Sequence, residues 1–99
     1  MTVYQHRATV TAQSGSTSTV TLKVLGGLLR QVLITANTSS TVFRANLVDE
    51  NSVTVENWGF SRGELREDNI AFPMAGVYTL NITNASPDDT FTILMSVQE

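Results

Sequence analysis

The chain contains no cysteine, one histidine and only two prolines among its 99 residues. The missing cysteines exclude a disulfide framework, a thiolate nucleophile and a cysteine-ligated metal. A single imidazole, His6, with no thiol cannot supply the nitrogen and sulfur ligands of an ordinary zinc site. His6 is also the sole base for an acyl-transfer triad, and it falls in an N-terminal strand where a surface or interface role is expected. Charge is sparse as well: Asp, Glu, Lys and Arg together make 15% of the chain, with a net charge of −3. The six basic residues are Arg7, Lys23, Arg30, Arg44, Arg62 and Arg66, spread from end to end. They form no clustered cationic footprint of the kind a nucleic-acid binder needs. No apolar run approaches the length of a membrane-spanning helix, and Met1 is not followed by a leader pattern, so neither export nor membrane insertion is expected.

What the chain has is Thr, Ser and Asn alternating with aliphatic residues. Hydrophobic residues make up 41%, enough for one thin core at this length, so residues 1–99 are expected to form a single domain. Val20, Leu22 and Val24 alternate with Thr19, Thr21 and Lys23; Tyr78, Leu80 and Ile82 with Thr79, Asn81 and Thr83; and Phe91, Ile93, Met95 and Val97 with Thr92, Leu94 and Ser96. This period of two marks half-buried strands. The last two are read as a C-terminal hairpin closed by the polar segment 84–89, with their apolar parity in the core. Residues 2–12 and 41–48 give two further strands, and Val53 and Val55 start another that runs toward Trp58 and Phe60. Segment 13–16 is read as a turn, and Gly26-Gly27 as the tight turn of an N-terminal hairpin. The apolar run 28–35 lacks clean alternation and is expected to be covered on both sides. Alternation stops from Gly59 to Asn69, predicting a long irregular arm. Residues 70–73 are read as a short edge strand ended by Pro73. About eight strands at ten-residue spacing, without a substantial helix, predict an all-β fold: an antiparallel β-sandwich or jelly roll.

Candidate chemistry is correspondingly thin. Glu64, Glu67, Asp68 and Asp88 are carboxylates of the type a glycosidase pairs, but Glu64, Glu67 and Asp68 alternate in sign with Arg62 and Arg66, as on an exposed, charge-paired arm. Asp49-Glu50 and Asp88-Asp89 would make an oxygen-rich calcium site only if their two turns met. Three Asn-X-Ser/Thr triplets begin at Asn37, Asn81 and Asn84, a frequency expected in so Thr- and Ser-rich a chain. Trp58 and Phe60, flanking Gly59, are the aromatics most available for stacking on a sugar. No cofactor, metal or catalytic group is expected, and an enzyme is the least favoured class. Contacts with other subunits are expected from Arg62, Glu64, Arg66, Glu67, Asp68, Trp58 and Phe60, together with His6 and Arg7 on the first strand.

The runs 27–34, 41–50, 72–80 and 84–91 resemble small β-sandwich virion proteins of tailed bacteriophages. The segment Ala75-Gly76-Val77-Tyr78 followed by Phe91-Thr92-Ile93 is also similar to the closing hairpin of pre-peptidase C-terminal domains. The phage resemblance implies a head decoration, or cement, protein: a homotrimer made in the host cytoplasm, seated on the outer capsid surface, bridging major capsid protein subunits, with neither nucleic acid nor membrane as partner. The alternatives are a carbohydrate-binding module using Trp58 and Phe60, and a head-tail or tail fibre component.

Overall fold

A computed structural model describes residues 3–11, 18–68, 70–83 and 89–98. They form seven strands: β1 (Val3–Thr11), β2 (Ser18–Ala36), β3 (Val42–Asp49), β4 (Thr54–Arg62), β5 (Glu64–Glu67), β6 (Phe72–Thr83) and β7 (Thr90–Gln98). All pairings are antiparallel, in the order β1-β7-β2-β6-β3-β4, with β5 joined to β2 off this path. The expected all-β class is what the chain adopts. Counting β2 as two arms gives eight strand segments, although not the eight expected: β5 lies in the segment expected to be irregular, and residues 72–73 belong to β6.

β2 organises the rest. Its first arm, 18–24, pairs with β6, and its second arm, 28–36, pairs with β7, with β6 at Leu28 and Leu29, and with β5 at residues 32–35. The register shifts between Val24 and Gly27 against β6, and again between Leu29 and Gln31 against β7. Each bulge moves the side-chain parity by one residue. The core face therefore passes from Leu22 and Val24 to Leu29 and then back to Val32, Ile34 and Ala36, all buried. This is why the run 28–35 shows no clean alternation. It has one core face, while Leu28 and Leu33 on the other are half-buried.

The bend wraps the sheet into two layers, β1-β7-β2-β5 and β2-β6-β3-β4, a sandwich-like arrangement. Their inner faces meet in one core. Phe43 of β3 and Phe91 of β7 pack edge to face across it with ring centroids 5.0 Å apart. Leu80, Leu47 and Val32 are among the fully buried side chains, and Tyr78, Ile82, Ile93, Met95 and Val97 occupy the core as their parity predicts. The Tyr78 hydroxyl is satisfied locally: it accepts from Ala75 N at 3.0 Å and donates to Ala75 O at 3.2 Å.

Four expectations are corrected. Gly26-Gly27 is no turn, because the strand continues through it; a Cβ on Gly27 would lie 2.6 Å from Gln98 O, so glycine there serves the close approach of β7. β6 and β7 are strands but not a hairpin: β6 pairs with β2 and β3, whereas β7 pairs with β1 and β2. The arm 59–69 is not irregular over its described length. β4 continues to Arg62, Gly63 turns the chain at φ 73°, and β5 follows. Nor does Pro73 end a strand, for it lies inside β6 opposite Leu28. The expected turn at 13–16, and most of the segment 84–89, lie outside the described residues.

Candidate functional site

The outer face of the β1-β7-β2-β5 layer assembles residues that are far apart in sequence. Directly paired residues share a face of a sheet, so the registers define transverse rows. The central row runs Arg7, Leu94, Leu33, Arg66. Beside it run Thr9, Thr92, Thr35, Glu64 on one side and Gln5, Ser96, Gln31 on the other. The opposite parity, exemplified by Ile93, Ile34 and Leu65, points into the core. The outcome is two half-buried leucines flanked by two exposed arginines, with a threonine row alongside.

Polar contacts hold this face in place. Arg7 Nη2 donates to Gln5 Oε1 at 3.0 Å along β1. Ser96 Oγ donates to Gln31 Oε1 at 3.4 Å, and Gln31 Nε2 donates to Asp68 Oδ1 at 2.8 Å, so Asp68 is tied to the end of the third row. Arg66 and Glu64 approach to 4.0 Å with both side chains more than half exposed. Such a pair is weak in water and leaves both charges available to a partner. Four of the sequence-predicted contact residues, Arg7, Glu64, Arg66 and Asp68, thus share one surface. Leu33 and Leu94 complete it and were not among the predicted residues. The available signal was Leu94, a leucine on the polar parity between Thr92 and Ser96.

The other predicted contacts lie elsewhere. His6 is half-buried on the inner side of β1 opposite Met95. It lines a cleft of about 350 Å³ between β1 and the first arm of β2, floored by Ile93 and Met95. Phe60 is 65% exposed on β4, with the Arg44 guanidinium 5.1 Å above its ring, and Arg62 is exposed at the strand's end. Trp58 does not join Phe60 in a stacking platform. A register shift between Ala45 and Asn46 makes Trp58 the unpaired bulge residue of β4, and it packs against the core. Glu67, opposite buried Val32, is on the core-facing side of β5, and it lines a second cleft with Trp58.

No group of three or more His, Asp or Glu side chains placed to hold a metal occurs among the described residues. Asp49 is engaged otherwise: its Oδ1 accepts from the backbone N–H groups of Asn51 and Val53, each at 2.9 Å, which shapes the turn between β3 and β4. Among the described residues, no helix is long and apolar enough to cross a membrane. No protein-family model matches the chain, and no curated protein matches it.

Proposed function

We propose that this protein is a non-enzymatic structural component that docks through the outer face of its β1-β7-β2-β5 layer onto a repeating protein surface. The concrete form of the proposal is a phage head decoration protein that bridges major capsid subunits and associates with copies of itself as a trimer on the outer capsid. The observation that carries it is the central row, in which Leu33 and Leu94 lie between Arg7 and Arg66. An apolar centre within a polar rim is the anatomy of protein contacts. A rigid sheet face orders few side chains on binding, which keeps the entropic cost low. Binding many copies to one lattice multiplies modest individual affinities.

The test is co-sedimentation with capsid shells assembled without the protein, alongside a native mass measurement of the free chain. Wild type is expected to saturate the shells and to register as a trimer, and Leu94→Lys to remain folded and stay in the supernatant. A strictly monomeric wild type that never binds such shells would sink the proposal.

A further inference from the structure

β1 and β5 are the two edges of the β1-β7-β2-β5 layer: among the described residues, β1 pairs only with β7 and β5 only with β2. A free edge is a row of unpaired backbone donors and acceptors, and proteins blunt such rows with bulges or inward charges. β4, an edge of the other layer, is blunted in this way. Its register against β3 shifts twice, Gly59 has φ 66°, and Glu56 stands opposite fully buried Leu47. β1 has none of these devices. Its register against β7 is unbroken over nine residues, and none of its side chains is buried. It contains no glycine, proline or carboxylate. Val3 and Tyr4, at its start, are 55% and 48% exposed.

We infer that the β1 edge takes the β5 edge of a second copy of this chain, so that copies join head to tail into one continuous sheet. Direction, charge and register select that occupant. Neighbouring strands of the layer alternate in direction, so β1 and β5 run antiparallel to each other. A copy turned about an axis along the strands keeps its strand directions, and its β1 therefore meets β5 as an antiparallel ladder. The charged residues of β1 are His6 and Arg7, whereas β5 carries Glu64 and Glu67. Pairing β1 with a second β1 would bring only basic side chains together. Opposed residues must share a face, so Arg7, on the outer face, can stand opposite Arg66 or Glu64. Like charges directly opposite are destabilising, which leaves Glu64. Gln5 then stands opposite Arg66, and on the inner face Tyr4 stands opposite Glu67. That places the exposed Tyr4 ring beside a cleft of about 240 Å³ lined by Leu29, Glu56, Trp58, Glu67, Ile70 and Phe72. Each copy offers one edge of each kind, so such heterologous contacts close into a ring when the rotation between copies allows it. The inference rests on the trimer of the proposed function and names the contact that would build it.

The test uses the full chain, free of capsid shells, with association followed by sedimentation equilibrium and native mass. Wild type is expected to associate. Arg7→Glu and Glu64→Arg are each expected to weaken association roughly two- to thirtyfold per contact, the range for exchanging an opposite-charge pair on facing strands for a like-charge pair. Both side chains are exposed, so the circular dichroism spectrum should not change. The double variant Arg7→Glu/Glu64→Arg restores the pair with its signs reversed and should regain association. An equimolar mixture of the two single variants should regain it as well, because every contact between unlike copies is again between opposite charges. Association that neither single reversal weakens, or that the double variant does not recover, overturns the inference while leaving a trimer built through another face. A monomeric wild type also overturns it, and shell binding by that monomer would show that the outer face docks without self-association.

Discussion

Replacing Gly63 by alanine isolates the corner where β4 passes into β5 and the chain changes layers. Gly63 has φ 73°, and an added Cβ would lie 2.6 Å from Ser39 O and 3.1 Å from Ser39 Cα, backbone atoms with no freedom to swing away. The glycine is also held in place. Its N–H donates to Thr41 O at 2.7 Å, and its carbonyl accepts from Ala36 N at 2.8 Å. The left-handed conformation costs alanine about 1–2 kcal/mol. Relieving the overlap means moving the corner and weakening two backbone hydrogen bonds, each contributing about 0.5–1.5 kcal/mol. The sum is about 2–5 kcal/mol, a large part of the roughly 5–15 kcal/mol expected for a domain. In a chain of this size the melting temperature should fall by roughly 8–40 °C, at about 4–8 °C for each kcal/mol.

Two glycines serve as internal controls. Gly59 has φ 66° but nothing within 4 Å of an added Cβ, so Gly59→Ala should cost the conformational strain alone, about 1–2 kcal/mol. Gly26 lacks both the positive φ and the close neighbour. Gly26→Ala should therefore be neutral or slightly stabilising, within about 0.5–1 kcal/mol, through the stiffer unfolded chain. Asparagine, which tolerates the left-handed region, should recover stability at Gly59 but not at Gly63, where its Cβ still meets Ser39. Urea denaturation with an unchanged slope gives the differences directly. If Gly63→Ala costs no more than Gly59→Ala, the contact with Ser39 does not govern this corner and the reasoning fails.

Other outcomes follow from burial and pairing. Leu80 is fully buried, and Leu80→Ala should cost about 2–5 kcal/mol in the same denaturation assay. Tyr78→Phe removes both hydrogen bonds to Ala75 while keeping the ring, and should cost about 1–2 kcal/mol, measured by thermal unfolding. Glu64→Lys breaks only the long, exposed pair with Arg66; unfolding should move by less than about 1 kcal/mol, whereas shell binding should weaken. Leu33→Lys places a charge at the centre of the outer row and should abolish shell binding, with the circular dichroism spectrum unchanged because Leu33 is not part of the core.

The outer face of the β1-β7-β2-β5 layer shows how a candidate site can be half legible in a sequence. Arg7, Glu64, Arg66 and Asp68 are recognisable as exposed charges from their neighbours alone. That they belong to one surface depends on β1 pairing with β7, β7 with β2 and β2 with β5. Leu33 is hidden by the two bulges of β2, which break the alternation that would have placed it outside. The second cleft was less visible still. Glu67 looks like part of an alternating-sign arm until its pairing with buried Val32 turns it inward, and Glu56 becomes notable only opposite Leu47.

By itself, the chain's alternation of Thr, Ser and Asn with aliphatic residues determined the all-β class, the positions of most strands and the membership of the core. The period of two assigns each residue to a face, and burial of the apolar face follows. Which strands lie side by side was decided only by the tertiary structure, since alternation carries no information about partners. Residues 75–83 and 90–97 are strands on any reading, yet each pairs with a different arm of β2. The bend in β2 is a property of bulges, and a bulge is a relation between two strands that one strand's sequence cannot express. The same holds for Gly27, whose reason is the backbone of Gln98, about seventy residues away.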